Sequence, residues 1–205
     1  MDELTEYLIN APTYYYSVIR LERILNKKII ITPNHIKYVK QGPIINIFKK
    51  YGYVFTEDDY MYLMLNINNA FSNIPDNEKT NKLCVFAVQQ NGQNLQFVPP
   101  NKITDEICKI AVQQNYNALE YVPENKKIYE LCNIAVQQNG NALRHVPNDN
   151  KTYELCKISV QLAGKALQYV PEDKKTIEIC RTAVSRNIDS LHFVPKDIYS
   201  EMKNN

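Results

Sequence analysis

A step of 24 residues recurs through the second half of the sequence and constrains the fold more than any other feature. All the cysteines keep this step: Cys84, Cys108, Cys132, Cys156 and Cys180. Five leucines beginning at Leu95 and five Val-Pro pairs beginning at Val98-Pro99 keep it as well. A unit of this length cannot bury its apolar face alone, so neighbouring units have to stack. The chain is therefore predicted to fold as an array of repeats.

Each unit carries the start and stop signals of two helices. A threonine that can cap a helix is followed by a glutamate in the first turn, as at Thr104 and Glu106, whereas Ile128 breaks the cap in one unit. The first helix is expected to run for about ten residues. Glycines are expected to end it in a left-handed conformation: Gly92, Gly140 and Gly164. A shorter helix, of the α or the 3₁₀ type, follows and stops before each Val-Pro proline.

The apolar residues of the first helix cover a wide arc. In the second unit Ile107, Cys108, Ile110, Ala111 and Val112 span about 200° of the helix surface. Such a helix has to be buried on two sides, which stacking provides. The sequence predicts an all-α fold, an α solenoid of 24-residue two-helix repeats with an N-terminal helical cap.

The 24-residue step divides the chain into three parts. Residues 1–59 do not follow it and are predicted to form the N-terminal helical cap. Residues 60–83 are a degenerate repeat. Five repeats follow, 84–107, 108–131, 132–155, 156–179 and 180–203.

The two ends of the chain carry weaker signals. In the cap, helices are expected over 14–26, 34–40 and 44–51, with a short strand over 28–32 as an alternative to irregular structure. At the other end Ser200 is expected to begin a helix. Leu191 and Val194 would then be left at the end of the array, covered either by the tail or by another copy.

The segment Ala-Val-Gln-Gln-Asn-Gly-x-Ala-Leu-x-aromatic-Val-Pro, found at residues 135–147 with His145 in the aromatic place, carries a family resemblance. It resembles the repeats of an uncharacterised helical family, a domain of unknown function common in giant amoebal DNA viruses of the mimivirus type and present in some bacteria. The similarity extends over residues 60–203. It implies a helical repeat fold and no known activity. The leucine-rich repeat variant, another 24-residue unit, is an analogy in fold and suggests that the short helix is 3₁₀.

Charge and hydropathy limit the location and the partners. The net charge is only +2, which by itself does not argue for nucleic acid. The first residues lack the basic region of a secretion signal, and no apolar run approaches the roughly 18 residues of a membrane span. We expect an intracellular protein in a reducing compartment, the cytoplasm, or the host cytoplasm or virion if the protein is viral, without membrane association.

The cysteines and histidines do not suggest chemistry. Stacked helices lie roughly 8–10 Å apart, which is too far for equivalent cysteines to form a disulfide or to share a zinc ion. They are predicted to be core thiols. The sequence contains no phosphate-binding glycine loop and no nucleophile motif. We therefore expect no catalytic residues, no metal and no cofactor, and the chain is not expected to be an enzyme.

Two columns of the repeat are candidate binding positions. An aromatic column precedes each Val-Pro pair and could close the gap between units or grip a partner: Phe97, Tyr121, His145, Tyr169 and Phe193. Beside it lies a variable column that could read one nucleic-acid base in each repeat: Gln96, Glu120, Arg144, Gln168 and His192.

Two other features are polar. Gln-Gln pairs such as Gln113-Gln114 and Gln137-Gln138 either form a ladder of hydrogen bonds from unit to unit or read a partner's backbone. A basic patch in the N-terminal region could bind phosphate or an acidic partner, or be a solvated face: Lys27, Lys28, Lys37, Lys40, Lys49 and Lys50.

These features favour a non-catalytic scaffold that mediates protein–protein interaction. The partner is of unknown identity, and the family resemblance implies a viral or host protein. Single-stranded nucleic-acid binding by a modular repeat surface is an alternative, because repeat proteins can assign one base to each unit. A third possibility is a structural subunit that self-associates into a homo-oligomer through its C-terminal end.

Overall fold

The computed structural model describes residues 2–10, 21, 24–26, 31–39 and 44–204. These residues form α and 3₁₀ helices, and no strand occurs among them. The predicted all-α repeat fold is confirmed. The chain divides into two compact units, Met1–Gln90 with Phe97–Lys102, and Asn91–Gln96 with Ile103–Asn205. Within the described ranges, no helix has the length and apolar character needed to span a bilayer.

The first unit contains five described α-helices. They are α1 (Glu3–Asn10), α2 (Pro33–Ile36), α3 (Ile44–Lys50), α4 (Glu57–Asn66) and α5 (Asn81–Gln90). Its 3₁₀ helices are Ala70–Asn73 and Pro100–Lys102, and the division between the units falls within the 3₁₀ helix Gly92–Phe97.

The helices expected in the N-terminal region are only partly observed. The helix expected over 44–51 is α3. The helix expected over 34–40 is shorter, because α2 ends at Ile36 and residues 37–38 continue as a turn. Most of 14–26, and residues 28–30 of the alternative strand, lie outside the described residues.

The second unit repeats a pair of elements every 24 residues. Its α-helices are α6 (Asp105–Gln114), α7 (Tyr129–Gln138), α8 (Tyr153–Leu162), α9 (Ile177–Arg186) and α10 (Lys196–Asn204). Six-residue 3₁₀ helices follow α6 to α9: Tyr116–Tyr121, Gly140–His145, Gly164–Tyr169 and Ile188–Phe193. After three of them a one-turn 3₁₀ helix leads into the next repeat: Glu124–Lys126, Asn148–Asn150 and Glu172–Lys174.

Two layers enclose the core of the second unit. Successive α-helices pack side by side in one layer, successive 3₁₀ helices pack in the other, and each 3₁₀ helix also contacts the α-helix of the next repeat. The core between them is fully buried, for example Cys132, Val136 and Leu143. The unit is thus an α solenoid in which the short helix is 3₁₀.

Threonine caps begin most of these helices, as the sequence predicts. The hydroxyl of Thr104 accepts a hydrogen bond from the amide of Ile107 at 3.2 Å, and Thr80, Thr152 and Thr176 do the same in their repeats. Helix α7 differs, because Ile128 stands at its N-terminal cap and supplies no side-chain bond.

The prediction that glycines end the helices in a left-handed conformation is wrong. Among the described glycines only Gly52 has a positive φ. Helix α7 ends instead at Asn139 in an extended conformation, and Gly140 begins the 3₁₀ helix. A Cβ atom on Gly140 would lie 2.2 Å from the carbonyl oxygen of Ser159 in the next repeat. Glycine is required there because two backbones pass too closely for a side chain.

The last helix begins earlier than expected. Ser200 lies inside α10, which begins at Lys196, and its hydroxyl donates to the carbonyl of Lys196. The helix begins directly after Pro195, whose carbonyl accepts the first helical bond from Tyr199. Helix α10 packs on α9. Leu191 and Val194 remain partly exposed, whereas the equivalent residues of earlier repeats are buried.

Candidate functional site

The aromatic column lies at the end of each six-residue 3₁₀ helix. Its five members, Phe97, Tyr121, His145, Tyr169 and Phe193, are all half-buried. Each side chain therefore packs partly within its own repeat and leaves only one edge at the surface.

The variable column is exposed throughout. Its members are Gln96, Glu120, Arg144, Gln168 and His192. The side chains of Gln96 and Gln168 fold back on a carbonyl of their own 3₁₀ helix, at 3.0 and 3.1 Å. Arg144 instead reaches the preceding repeat, where its Nη2 donates to Oδ1 of Asn117 at 3.0 Å.

Charges of both signs occur on the 3₁₀ layer of the second unit. Nζ of Lys165 lies 2.8 Å from Oδ2 of Asp189, and Glu120 lies 3.9 Å from Nε2 of His145. Burial and the nearby Arg144 lower the pKa of His145, so the ring is neutral at physiological pH. This face has no continuous positive strip.

The glutamine pairs connect repeats, but they bond to the backbone. Nε2 of Gln138 donates to the carbonyl of Val112 at 2.7 Å and to that of Gln113 at 3.2 Å. Oε1 of Gln114 accepts from the amide of Gly92. These glutamines do link neighbouring repeats, as expected. Their partners are main-chain groups of the preceding repeat and not a second glutamine.

Three buried lysines were missed by the sequence analysis. Lys79, Lys127 and Lys175 stand at one register position and are only 4–8% exposed. Each pairs with the carboxylate three residues earlier: Asp76, Glu124 and Glu172, at 2.8, 2.7 and 2.6 Å. The signal was a repeated Pro-acid-x-x-Lys segment, as at Pro171-Glu172 and Lys175.

At the same register position Lys151 lacks the acid, because Asn148 replaces it. Burial lowers the pKa of Lys151. The three buried lysines thus differ from Lys151 in having a carboxylate beside each ammonium group.

The five cysteines are free and buried, as predicted for core thiols. Sγ of Cys132 donates to the carbonyl of Lys127 at 3.6 Å, and burial raises the pKa of its thiol to about 11. The thiols of Cys108, Cys156 and Cys180 have a pKa raised to about 11 for the same reason. Such thiols are protonated and unreactive at neutral pH. In the part of the chain that the structure describes, no group of three or more His, Cys, Asp and Glu side chains could hold a metal ion.

The basic patch is only partly described. Lys27, Lys28 and Lys40 lie outside the described residues. Lys37 is exposed, Lys49 pairs with Glu78, and the ammonium of Lys50 lies 5.8 Å from the ring centre of Tyr51.

Each unit has a cavity. In the first unit a cleft of about 540 Å³ lies between the segment 52–57 and the start of α5. At its base Glu78 accepts hydrogen bonds from Lys49 and from the hydroxyl of Tyr60. The exposed side chain of Val54 lies at its rim. Its charged groups already have partners, Lys49 with Glu78 and Glu57 with Lys82.

In the second unit a groove of about 360 Å³ lies between the first turns of α6 and α7. Its apolar lining consists of Ile128, Leu131 and Ile134, and its charged lining of Asp105, Glu106, Lys109, Lys126 and Glu130. We call it the Ile128 groove.

Two segments of the chain match one family model. Residues 82–125 and 152–199 match DUF4116, a domain of unknown function. The first segment contains α5 and α6, and the second contains α8 and α9. No curated protein and no solved structure matches the chain. Over these two segments the chain is similar to a family of domains whose function is unknown.

Proposed function

We propose that the protein is a non-catalytic repeat scaffold that binds a protein partner through the 3₁₀ layer of its second unit. The binding surface, called the variable face below, consists of the exposed Glu120, Arg144, Gln168 and His192 with the edges of the neighbouring aromatic residues.

One observation carries the proposal. The buried residues are nearly the same in every repeat. The exposed residue of the variable column instead differs in chemistry from repeat to repeat, except that Gln96 and Gln168 are both glutamine. In a solenoid the core maintains the stack, so side chains at the surface are free to take the form that a partner requires. Affinity would come from a few aromatic and arginine anchors, here Tyr121, Arg144 and Tyr169.

The charges of the variable face support a protein partner over nucleic acid. A surface that tracks phosphates needs a positive strip. Here the acidic Glu120 and Asp189 lie in the same layer as the basic Arg144 and Lys165. Nucleic-acid binding and self-association through the C-terminal end are the alternatives that the experiments below separate.

We propose an intracellular location for this scaffold. Five buried free thiols are compatible with a reducing, intracellular compartment. The resemblance to a repeat family that is common in giant amoebal DNA viruses favours a viral or a host protein as the partner, in the host cytoplasm or in the virion.

Site-specific crosslinking tests the variable face. Benzoylphenylalanine replaces Gln168 on the variable face or, as the matched control, Gln161 on the exposed side of α8. After irradiation in the source cell we expect a discrete crosslinked band only with the probe at position 168. Equal crosslinking at both positions would contradict the proposal.

Reversing the charge of Arg144 is the second test of the variable face. Arg144→Glu is expected to remove the crosslinked band without a change in helicity, because its side chain is exposed. A gel shift with single-stranded RNA or DNA that weakens steeply with salt would replace the proposal by nucleic-acid binding. A crosslinked band at twice the mass of the chain would replace it by self-association.

A further inference from the structure

Helix α7 breaks the capping rule of its neighbours. Thr104, Thr152 and Thr176 each satisfy an amide in the first turn, whereas the Ile128 side chain satisfies none. The backbone of Ile128 has the same extended conformation as the threonines (φ −67°, ψ 157°). A threonine would fit there and would stabilise the helix start. Isoleucine at this position therefore has a cost that the fold does not require.

The side chain of Ile128 also exposes apolar surface to water in the folded protein. It is 58% exposed, and the adjacent Tyr129 is exposed as well. Ile128 lines the groove together with Leu131 and Ile134. Exposed apolar side chains around a concave surface are typical of a binding site.

Ion pairs fix the two walls of the groove. Nζ of Lys126 lies 2.6 Å from Oδ1 of Asp105, and Nζ of Lys109 lies 3.4 Å from Oε1 of Glu130. The first pair links the start of α6 to the segment before α7, and the second links α6 to α7. With both lysines engaged, the exposed carboxylate of Glu106 has no ion-pair partner among the described residues. The lining has three carboxylates and two ammonium groups, which leaves one negative charge in excess.

We propose that the Ile128 groove binds a peptide segment of a protein partner, with an aliphatic side chain against Ile128, Leu131 and Ile134 and a neighbouring basic residue at Glu106. This contact is separate from the variable face, since none of its residues lies on the six-residue 3₁₀ helices. The apolar floor selects the aliphatic group. The excess negative charge selects a basic neighbour over an acidic one.

Three synthetic peptides of equal length test the proposal with the whole chain. One has a central leucine flanked by lysines, one has the leucine flanked by glutamates, and one has a central serine flanked by lysines. Binding is followed by the methyl NMR signals of Ile128, Leu131 and Ile134. We expect saturable shifts with the leucine–lysine peptide, and much weaker shifts with the other two.

Two variants and one control variant distinguish a binding site from an effect on folding. Glu106→Gln is expected to weaken the leucine–lysine peptide by roughly fivefold, the size of one partly exposed charge contact. Glu154→Gln, at the equivalent position two repeats on, is the matched control and should bind as the native chain does. Ile128→Thr restores the missing cap, so its thermal midpoint should rise while its affinity falls by about tenfold. A loss of binding in this variant therefore cannot come from unfolding.

The outcomes are decisive in both directions. Similar shifts with all three peptides, unchanged affinity of Ile128→Thr, or an equal effect of the two glutamate variants would each overturn the proposal. None of these results bears on crosslinking at position 168, so the proposed function is tested independently.

Discussion

The ammonium group of Lys175 donates a hydrogen bond to the carbonyl oxygen of Phe193, 3.0 Å away in the next repeat. Lys79 donates in the same way to the carbonyl of Phe97, at 2.8 Å. The last carbonyls of a helix have no partner within the helix. Each of these lysines supplies that partner, and so it ties the loop before one α-helix to the end of the following 3₁₀ helix.

Replacing Lys175 should destabilise the protein. Lys175→Met removes the donor to Phe193 and leaves the carboxylate of Glu172 unpaired, so we expect the free energy of unfolding to fall by about 1–3 kcal/mol. Urea unfolding followed by circular dichroism measures it. Lys165→Met is the control, because its ion pair with Asp189 is about half exposed and should contribute little to stability. Equal losses in the two variants would show that the buried carbonyl contact adds nothing.

Replacing Ser190 should stabilise the protein. Its hydroxyl is buried and has no hydrogen-bond partner among the described residues. Alanine occupies the same position in three other repeats, at Ala118, Ala142 and Ala166. Ser190→Ala should therefore raise the free energy of unfolding by about 1 kcal/mol, because it removes an unsatisfied polar group without leaving a large cavity.

Ser159 is the matched contrast. It is equally buried, but its hydroxyl donates to the carbonyl of Gly140 at 2.8 Å. Ser159→Ala should lower the free energy of unfolding by about 1 kcal/mol. If both serine variants shift the thermal midpoint in the same direction, hydrogen bonding is not the cause.

Close backbone approach makes Gly164 sensitive to a single methyl group. A Cβ atom there would lie 2.5 Å from the carbonyl oxygen of Ala183. Gly164→Ala should cost about 1–3 kcal/mol of unfolding free energy, since the two repeats would have to move apart. Ile188 holds the equivalent position in the last described 3₁₀ helix and is 67% exposed, so Ile188→Ala should leave the midpoint nearly unchanged. A Gly164→Ala midpoint as high as that of Ile188→Ala would contradict the steric argument.

The buried thiols predict a loss of stability in alkali. Burial raises the pKa of Cys132 from 9.0 to about 11. Unfolded thiols therefore release their protons first as the pH rises, so the contribution to stability is complete below pH 9 and is lost as the pH rises through about 11. The thermal midpoint measured from pH 8 to pH 11 should fall.

The variant Cys132→Ala isolates this effect. It should be less stable at every pH, yet its midpoint should fall less steeply between pH 9 and pH 11, because one of the titrating groups is gone. The lowered pKa of Lys151 acts in the opposite direction in both proteins and cancels in the comparison. Parallel curves for the two proteins would mean that the thiol of Cys132 is not protected in the fold.

The repeat pattern predicted most of the fold because its signals are local. Threonine caps, a ten-residue helix and a proline after each short helix are each readable within one unit, and the structure has them at Thr104, Thr152 and Thr176. The columns of half-buried aromatic and exposed variable residues also follow from the register of a single helix.

The features that the sequence did not predict correctly all depend on contacts between neighbouring repeats. Gly140 was assigned a left-handed angle because its own unit gives no sign that the carbonyl of Ser159 passes 2.2 Å from its Cβ position. Nothing within one repeat marks Lys175 as buried, because its acceptor, the carbonyl of Phe193, lies 18 residues along the chain. Ile128 was recognised as a missing cap, but the groove beside it exists only when α6 and α7 lie next to each other.

Several of the side chains that join one repeat to the next end on main-chain oxygens, as Gln138 does at Val112, Ser159 at Gly140 and Lys175 at Phe193. Such acceptors are present whatever amino acid stands at the receiving position. A duplicated or deleted block of 24 residues would therefore meet the same acceptors at its new junction. Gene duplication can change the length of this array, and each new copy is free to diverge on its outer surface.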